Sequence, residues 1–477
     1  MIFHSLEFLA FVVVTLAAYW ALPMRAQNVL LLIASYVFYG WVHPWFVTLI
    51  VTTTVIDYGS ARGMTMWPHR KKAFLWLSIV TNFGLLGFYK YFGFFVDNVS
   101  AAAAGLGWNI PHLALRVALP VGISFYTFQS MSYTIDVYRG HAPARTRFVD
   151  VAAFISFFPH LVAGPIMRAT NLLPQFERER RFSAAAARDA TVLMVWGFFK
   201  KLVIADNVGV IANKVFALAD PEFFVLWAGV FAFAIQIYAD FSAYTDIARG
   251  VAKWFGFDLI QNFERPYLAT GPGDFWRRWN ISLSTWFRDY VYLPLGGSRC
   301  GPWRRAGNLL ITFLASGLWH GASWNYVLWG AYHGTLLVIA RARGPASPQR
   351  QPRRGWQRPL RVAVMFALTC LGWLIFRETE FAQLTRDLQL VPWQSSAIGR
   401  SAGVYLFLLA ALYSVPLWIH DLWAELKGVD LVAAIETPEV AVSWRRTAAQ
   451  ALLCGVLVTA IVTLRSRTAL DFIYFAF

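Results

Sequence analysis

The amino-acid sequence predicts an all-α polytopic membrane protein, and three observations carry that prediction. Of its 477 residues 58% are hydrophobic, only 14% are charged, and the mean hydropathy is +0.48. Soluble domains carry roughly 25% charged residues, so the charged fraction alone sets this chain apart. Apolar runs near the length of a membrane-crossing helix recur along it, with no long polar segment between them. One membrane domain covering residues 1–477 is therefore expected.

The net charge of +16 raises the question of nucleic acid. The basic residues sit in short stretches between apolar runs, where Lys and Arg set topology and meet anionic lipid head groups, so nucleic acid is not expected as a partner. Cys300, Cys370 and Cys454 are far apart and form no CxxC, which supports neither a disulfide framework nor a metal site.

Residues 6–22 follow His4, include Glu7 and have no basic stretch before them, and read as a retained first helix rather than a cleaved signal peptide. Further spans are expected at 29–41, 45–58, 73–95 and 117–138; the second and third are short enough to be tilted or interfacial. Basic residues flank alternate connections: Arg62 with His69, Arg70, Lys71 and Lys72, then Arg139 with Arg145 and Arg147. Placing them in the cytoplasm puts 97–116 and the N-terminus on the opposite, external side of the membrane. Residues 148–167 are apolar but contain Pro159, His160, Gly164 and Pro165, so a re-entrant or broken segment is expected. His160 either lines a cavity there or caps broken backbone.

A polar cytoplasmic loop is expected at 168–188, with Arg178, Arg180 and Arg181. Residues 191–218 carry Lys200, Lys201 and Asp206 and read as starting with an interfacial helix. In 223–257, Asp240 and Asp246 are six residues apart and point to nearly opposite sides of a helix, so each should pair with its own base, Arg249 and Lys253 being nearest in sequence. Residues 264–305 are the densest polar stretch. Phe275, Trp279, Trp286 and Tyr290 recur there at spacings of four, seven and four, the aromatic face of an interfacial helix. Trp276, Arg277, Arg278 and Arg288 add a surface suited to a phosphate-bearing ligand. The acid-free stretch 341–361 reads as a solvated cytoplasmic loop with Arg343, Arg350, Arg353 and Arg354, and later spans are expected at 362–376, 404–419 and 448–464.

Between the basic stretches 299–305 and 341–361 lies an apolar region containing Trp319-His320-Gly321-Ala322. If both flanks are cytoplasmic, the chain goes out and returns, and His320 sits on a hairpin or paired helices. An ionisable residue at membrane depth costs several kcal/mol, about 2.5 or more, and marks a cavity, pathway or reaction centre unless it only braces the bundle. Gly317 and Gly321 form a GxxxG that admits a close helix neighbour. A neutral imidazole titrating near neutrality is a natural general base for an alcohol. The chain has no P-loop, HExxH, GxSxG or GxGxxG.

Trp319-His320-Gly321-Ala322, with Arg265-Pro266-Tyr267 and Phe275-Trp276-Arg277-Arg278-Trp279 upstream, resembles the membrane-bound O-acyltransferase family. The nearer resemblance is to its bacterial alginate O-acetyltransferase branch. Leu119 to Tyr126, Ile135 to Gly140, Pro159 to Pro165, Asp240-Phe241-Ser242, Ser282 to Trp286 and Phe472 to Phe475 agree with it. The resemblance spans essentially the whole chain. It implies a helical bundle with re-entrant segments around a central funnel, His320 as the family's histidine, and Asn280 at its second motif position. Alginate-type members are expected to carry His there, so Asn280 suits orientation and hydrogen bonding rather than proton transfer.

The resemblance also implies acetyl-CoA as a cytoplasmic donor substrate with no bound cofactor, a periplasmic acetyltransferase-like partner, and a polysaccharide acceptor. On this reading Arg277, Arg278 and Arg288 contact donor phosphates, while Trp319, Trp276, His160 and Asp240 line the substrate path. Two alternatives stay open: D-alanyl or other acyl transfer to an envelope polymer, and a transporter moving a polar solute past His320, Asp240 and His160. A transporter commonly shows repeated halves, and no second copy of the WHGA or RPY motif occurs.

Overall fold

The computed structural model describes every residue except 2, 109–118, 163, 343–355, 429–443, 469 and 474–477. The start of the expected span at 117, Ala163, the arginines at 343, 350, 353 and 354, and Tyr474 with Phe475 lie outside the described residues. The described chain is helical without strands, and five helices are long and apolar enough to cross a membrane: Pro68–Gly105, Phe223–Trp254, Gln357–Arg377, Ala397–Lys427 and Trp444–Leu464. It separates into two compact units, Met1–Ala187 with Val251–Ile260, and Arg188–Gly250 with Gln261–Phe477.

In the first unit the helices are α1 (Leu6–Trp20), α2 (Met24–Gly40), α3 (Phe46–Met66), α4 (Lys71–Leu86), α5 (Phe92–Gly105), α6 (Ile123–Arg139), α7 (Phe148–Ser156), α8 (Phe158–Leu161) and α9 (Ala169–Glu177). Ser5 caps α1, its hydroxyl accepting from the Phe8 amide at 3.2 Å. A π turn over Gly87–Tyr91 joins α4 to α5, so residues 97–105, expected in a loop, continue the helix. Polar groups knit α3, α4 and α6 together. The buried Asp57 carboxylate accepts from Ser78 Oγ at 2.5 Å, Asn82 Nδ2 at 2.9 Å and Ser130 Oγ, which satisfies a charge that lipid could not solvate.

The expected break at 148–167 is present. Phe157 leaves helical geometry at ψ 106°, and Pro159 then starts α8 in its first turn. Arg180 corrects the reading of 168–188 as a polar loop: α9 occupies its first half, and Arg180 is buried. Its guanidinium donates to Asn28 Oδ1 at 2.6 Å and to the Gln175 carbonyl at 3.0 Å.

The second unit continues with α10 (Ala184–Phe199), α11 (Asp206–Phe216), α12 (Phe223–Trp254), α13 (Pro272–Arg278), α14 (Ile281–Phe287), α15 (Pro302–His320), α16 (Trp324–Ala342), α17 (Gln357–Arg377), α18 (Phe381–Gln389), α19 (Ala397–Lys427) and α20 (Trp444–Leu464). The π turn Lys200–Ala205 between α10 and α11 is not interfacial: both lysines are buried. Lys200 meets Asp246 at 2.7 Å and Ser242 at 2.8 Å, and Lys201 meets Asp206 at 2.9 Å and Asp240 at 3.1 Å. Charges hidden from water must find opposite charges, and these two lysines do so on α11 and α12. Asp240 thus has its own base, as expected, but that base is Lys201 and not Arg249 or Lys253. Asp246 does meet Arg249, at 3.6 Å. Lys201 and Asp240 also hold the C-terminal stretch, through the Leu470 carbonyl at 2.9 Å and the Ile473 amide at 2.8 Å.

Candidate active site

α15 and α16 form the expected helical pair. Its closeness comes from glycine. A β-carbon at Gly317 would overlap the Tyr326 carbonyl oxygen, one at Gly321 the Tyr326 ring, and one at Gly330 the Phe313 carbonyl oxygen. α15 ends at His320, and Gly321 takes extended backbone at φ −167°. The histidine therefore stands at the turn of the pair, 4% exposed and set among rings: Trp319 and Trp329 at 5.0 Å and Phe376 at 5.3 Å between centroids.

The stretch 264–305 does not form one amphipathic helix. α13 stops at Arg278, Asn280 adopts the left-handed region at φ 39°, and α14 begins at Ile281. Phe275, Trp279 and Trp286 are buried rather than interfacial, because the break turns both short helices inward. Asn tolerates this backbone better than most residues. Asn280 does not cap α14; Asn262 does, accepting from the Ser282 amide at 3.1 Å. The Asn280 amide is thereby released, and both its nitrogen and its oxygen are buried with no hydrogen-bond partner among the described residues. Trp279 beside it packs on Trp373 at 4.9 Å, Trp373 on Phe376 at 5.6 Å, and Phe376 on His320, which joins the two motif positions through one ring network.

Trp276 belongs to the same network, 5.6 Å from Trp329 and 5.1 Å from His333. The neighbouring arginines do not. Arg277 is largely exposed beside Asp274, and Arg288 is exposed beside Asp289 at 2.7 Å. Arg278 is half-buried, held by Asp274 at 3.1 Å and Glu425 at 3.1 Å, and Glu425 also takes Arg265 at 2.9 Å. Burial would lower the Arg278 pKa, yet Glu425 and Asp274 outweigh it and hold it above its ordinary value. Burial would likewise raise Asp274, but the Thr270 amide and the Arg278 and Arg277 guanidinium groups keep its carboxyl below the usual range.

Two predicted residues stand apart from this network. Asp240 belongs to the buried ion cluster with Lys201 and Asp206. His160 lies in the first unit, buried among Tyr126, Gln129 and Gly164, both ring nitrogens without a hydrogen-bond partner among the described residues.

The second unit also holds a small polar cavity that sequence reasoning missed, about 40 Å³ and partly open to the outside. Lys200, Asp246, Arg249, Arg265 and His420 line it; His420 Nδ1 meets Asp421 Oδ1 at 3.1 Å, and Tyr238 donates to Asp421 Oδ2 at 2.8 Å. Its groups come from four separate stretches of chain, so no local spacing announces it. Trp329 and His333 were missed too, although their separation by one helical turn on α16 was a readable signal.

Comparison with known proteins gives the family. Residues 121–373 match the family model for MBOAT, the membrane-bound O-acyltransferase family. The chain is 36% identical to a "Probable alginate O-acetylase AlgI" of Pseudomonas putida over 100% of both chains. It is 43% identical to the protein of that name from Azotobacter vinelandii over 79% of this chain and 75% of the relative. A "Peptidoglycan O-acetyltransferase" of Helicobacter pylori is 34% identical over 77% of this chain and 75% of the relative. The chain belongs to the membrane-bound O-acyltransferase family and is an O-acyltransferase.

Proposed function

We propose that this enzyme takes an acetyl group from cytoplasmic acetyl-CoA and passes it across the bacterial inner membrane toward O-acetylation of an exopolysaccharide of the alginate kind, through a periplasmic acetyltransferase-like partner. The single observation that carries the reading is His320, an imidazole buried at the turn of a glycine-packed helix pair and walled by aromatic rings. The relatives support the acceptor class, since alginate and peptidoglycan, in the names of two of them, are both polysaccharides.

The chemistry follows from the groups present. Neutral His320 takes the proton of the acceptor hydroxyl as its oxygen attacks the thioester carbonyl. The tetrahedral intermediate collapses with departure of the CoA thiolate, which receives that proton from the imidazolium. Asn280 orients the thioester carbonyl or the acceptor with its released amide; a carboxamide donates and accepts hydrogen bonds but does not take up a proton near neutral pH, so it is not the base. The exposed Arg277 and Arg288 meet the donor's phosphates, for which bidentate guanidinium groups are suited. Arg278, already held by two carboxylates, fixes α13 beneath them.

The test is transfer of isotope-labelled acetyl from acetyl-CoA to the periplasmic partner or acceptor polysaccharide, by purified wild-type and His320→Ala enzyme. General-base loss should slow transfer by about 10²–10⁴-fold. Equal transfer by both proteins overturns the mechanism.

A further inference from the structure

α17 and α19 are both long and apolar enough to cross a membrane, and the start of one and the end of the other border an apolar groove of about 390 Å³. That volume lies within the range of about 300–1,000 Å³ that small-molecule sites occupy. An ion pair between Arg358 and Glu425 ties the two helices at one level, and the Phe366 and Trp418 rings meet at 5.8 Å at another, so the helices run in opposite directions. Val362 on α17 and Leu422 on α19 form the walls between those levels. Tyr267 closes the floor, its ring 5.0 Å from Phe366 and 6.2 Å from Trp418.

Depth and charge identify the occupant. From Arg358 to Phe366, and from Leu426 to Trp418, the chain climbs about 12 Å of helix. One leaflet of a bilayer's hydrocarbon core is about 15 Å thick. The groove therefore runs from head-group level toward the bilayer midplane, the reach of an acyl chain. Its mouth is basic. Glu425 there receives Arg265, Arg278 and Arg358 together. Arg265 and Arg278 each have a second carboxylate, Glu264 and Asp274, whereas Arg358 has Glu425 alone among the described residues and is 47% exposed. One carboxylate cannot use the donors of three guanidinium groups, so N–H groups are left over for another anion. The sequence from Arg341 to Arg377 contains no acidic residue, so α17 supplies none of its own.

We propose that this groove binds an anionic phospholipid of the phosphatidylglycerol class, one acyl chain lying between α17 and α19 and the phosphate on Arg358. The basic stretch that precedes α17 assigns it to the cytoplasmic leaflet. Basic pockets between membrane helices on that side are where acidic lipid head groups settle. Lipid tails are as apolar as the groove itself, so no hydrophobic gain selects the occupant. An empty groove forfeits dispersion contacts, and a chain fills it; the arginines choose which lipid carries that chain. The acetyl group of the proposed reaction is far too small for this space, so the lipid site and the transfer reading stand or fall separately.

The test is native mass spectrometry of the full-length protein in detergent, titrated with phosphatidylglycerol or with phosphatidylcholine of the same chains. Wild type should retain one phosphatidylglycerol about five-fold or more tighter than phosphatidylcholine, the worth of roughly one arginine at an anionic head group. Arg358→Gln should bring the two lipids to within about two-fold of each other. Ala363→Trp, which sets an indole where the groove wall has only a methyl, should abolish the tight lipid. Arg400→Gln removes an exposed arginine near the opposite end of α19 and should keep the wild-type preference. Circular dichroism and monodisperse elution establish that each variant is folded.

Wild type that binds both lipids equally, or neither, overturns the proposal: equal binding shows unselective filling by bilayer lipid, and no binding shows a groove occupied by something else. Arg358→Gln that keeps the preference overturns the phosphate contact, and Ala363→Trp that retains the lipid places it elsewhere. Glycerol 3-phosphate, a phosphate head group without chains, should not displace the bound lipid. Displacement by it shows a site for a soluble phosphate and overturns the lipid assignment.

Discussion

The helix pair that presents His320 makes a quantitative prediction. In Gly317→Ala the new β-carbon overlaps the Tyr326 carbonyl oxygen and lies 3.0 Å from its carbon and 3.4 Å from Gly330 Cα. Relaxed carbon contacts need about 3.5–4.0 Å, so α15 and α16 must part by roughly 0.5–1 Å. The obstacle is backbone, which cannot rotate away as a side-chain tip would. The cost therefore falls near the upper end of overpacking, about 3 kcal/mol. Alanine regains about 1 kcal/mol of helix propensity, which leaves a net loss of about 2 kcal/mol.

His320 is three residues on, and a shift near 1 Å at a reacting group costs about 10²-fold in rate. Gly307→Ala is the internal control: the same helix and substitution, but nothing lies within 4 Å of the new carbon. It should gain about 1 kcal/mol of stability and keep its rate. The measurements are unfolding in detergent micelles and initial rates of labelled acetyl transfer. Gly317→Ala matching Gly307→Ala in both would refute the argument that glycine closeness positions the histidine.

Two further predictions concern charge. Lys201→Met leaves Asp206 and Asp240 buried without their cation and releases the Leu470 carbonyl. It should lose about 3–5 kcal/mol of stability, and protease nicking near residue 470 should rise; wild-type stability would show that the pairing contributes nothing. Asp274 titrates below its unfolded value of 3.8 when folded, so its contribution is complete above about pH 5 and disappears as pH falls through the lower folded value. The acid limb of the stability curve should flatten in Asp274→Asn relative to wild type. An unchanged limb shows that the Thr270 and Arg278 contacts do not stabilise the carboxylate.

Fold class, the apolar helices and the histidine at the turn of a returning pair were legible in the chain. Hydrophobic runs report directly how much of a segment can leave water, and glycine spacing reports close approach. The His320 motif stood out because an imidazole in a long apolar region is costly wherever it points. Pairings were a different matter. Lys201 with Asp240, Tyr238 with Asp421 and Arg180 with Asn28 join residues 39 to 183 positions apart. The nearest-base rule chose wrongly for Asp240 because helix packing, not sequence distance, decides which cation arrives. The aromatic period in 264–305 misled for a related reason: a single left-handed residue, Asn280, ends one helix and starts another, turning rings suited to an interface into the wall of a buried site.

By itself the sequence determined which segments leave water, and that one histidine must be accommodated among them. Only the tertiary structure decided what surrounds it. The rings at Trp276, Trp329, Trp373 and Phe376 come from three helices, and no local pattern records their meeting. Burial of an apolar surface is a property of each segment, whereas the partner of a buried polar group is a property of the whole packing.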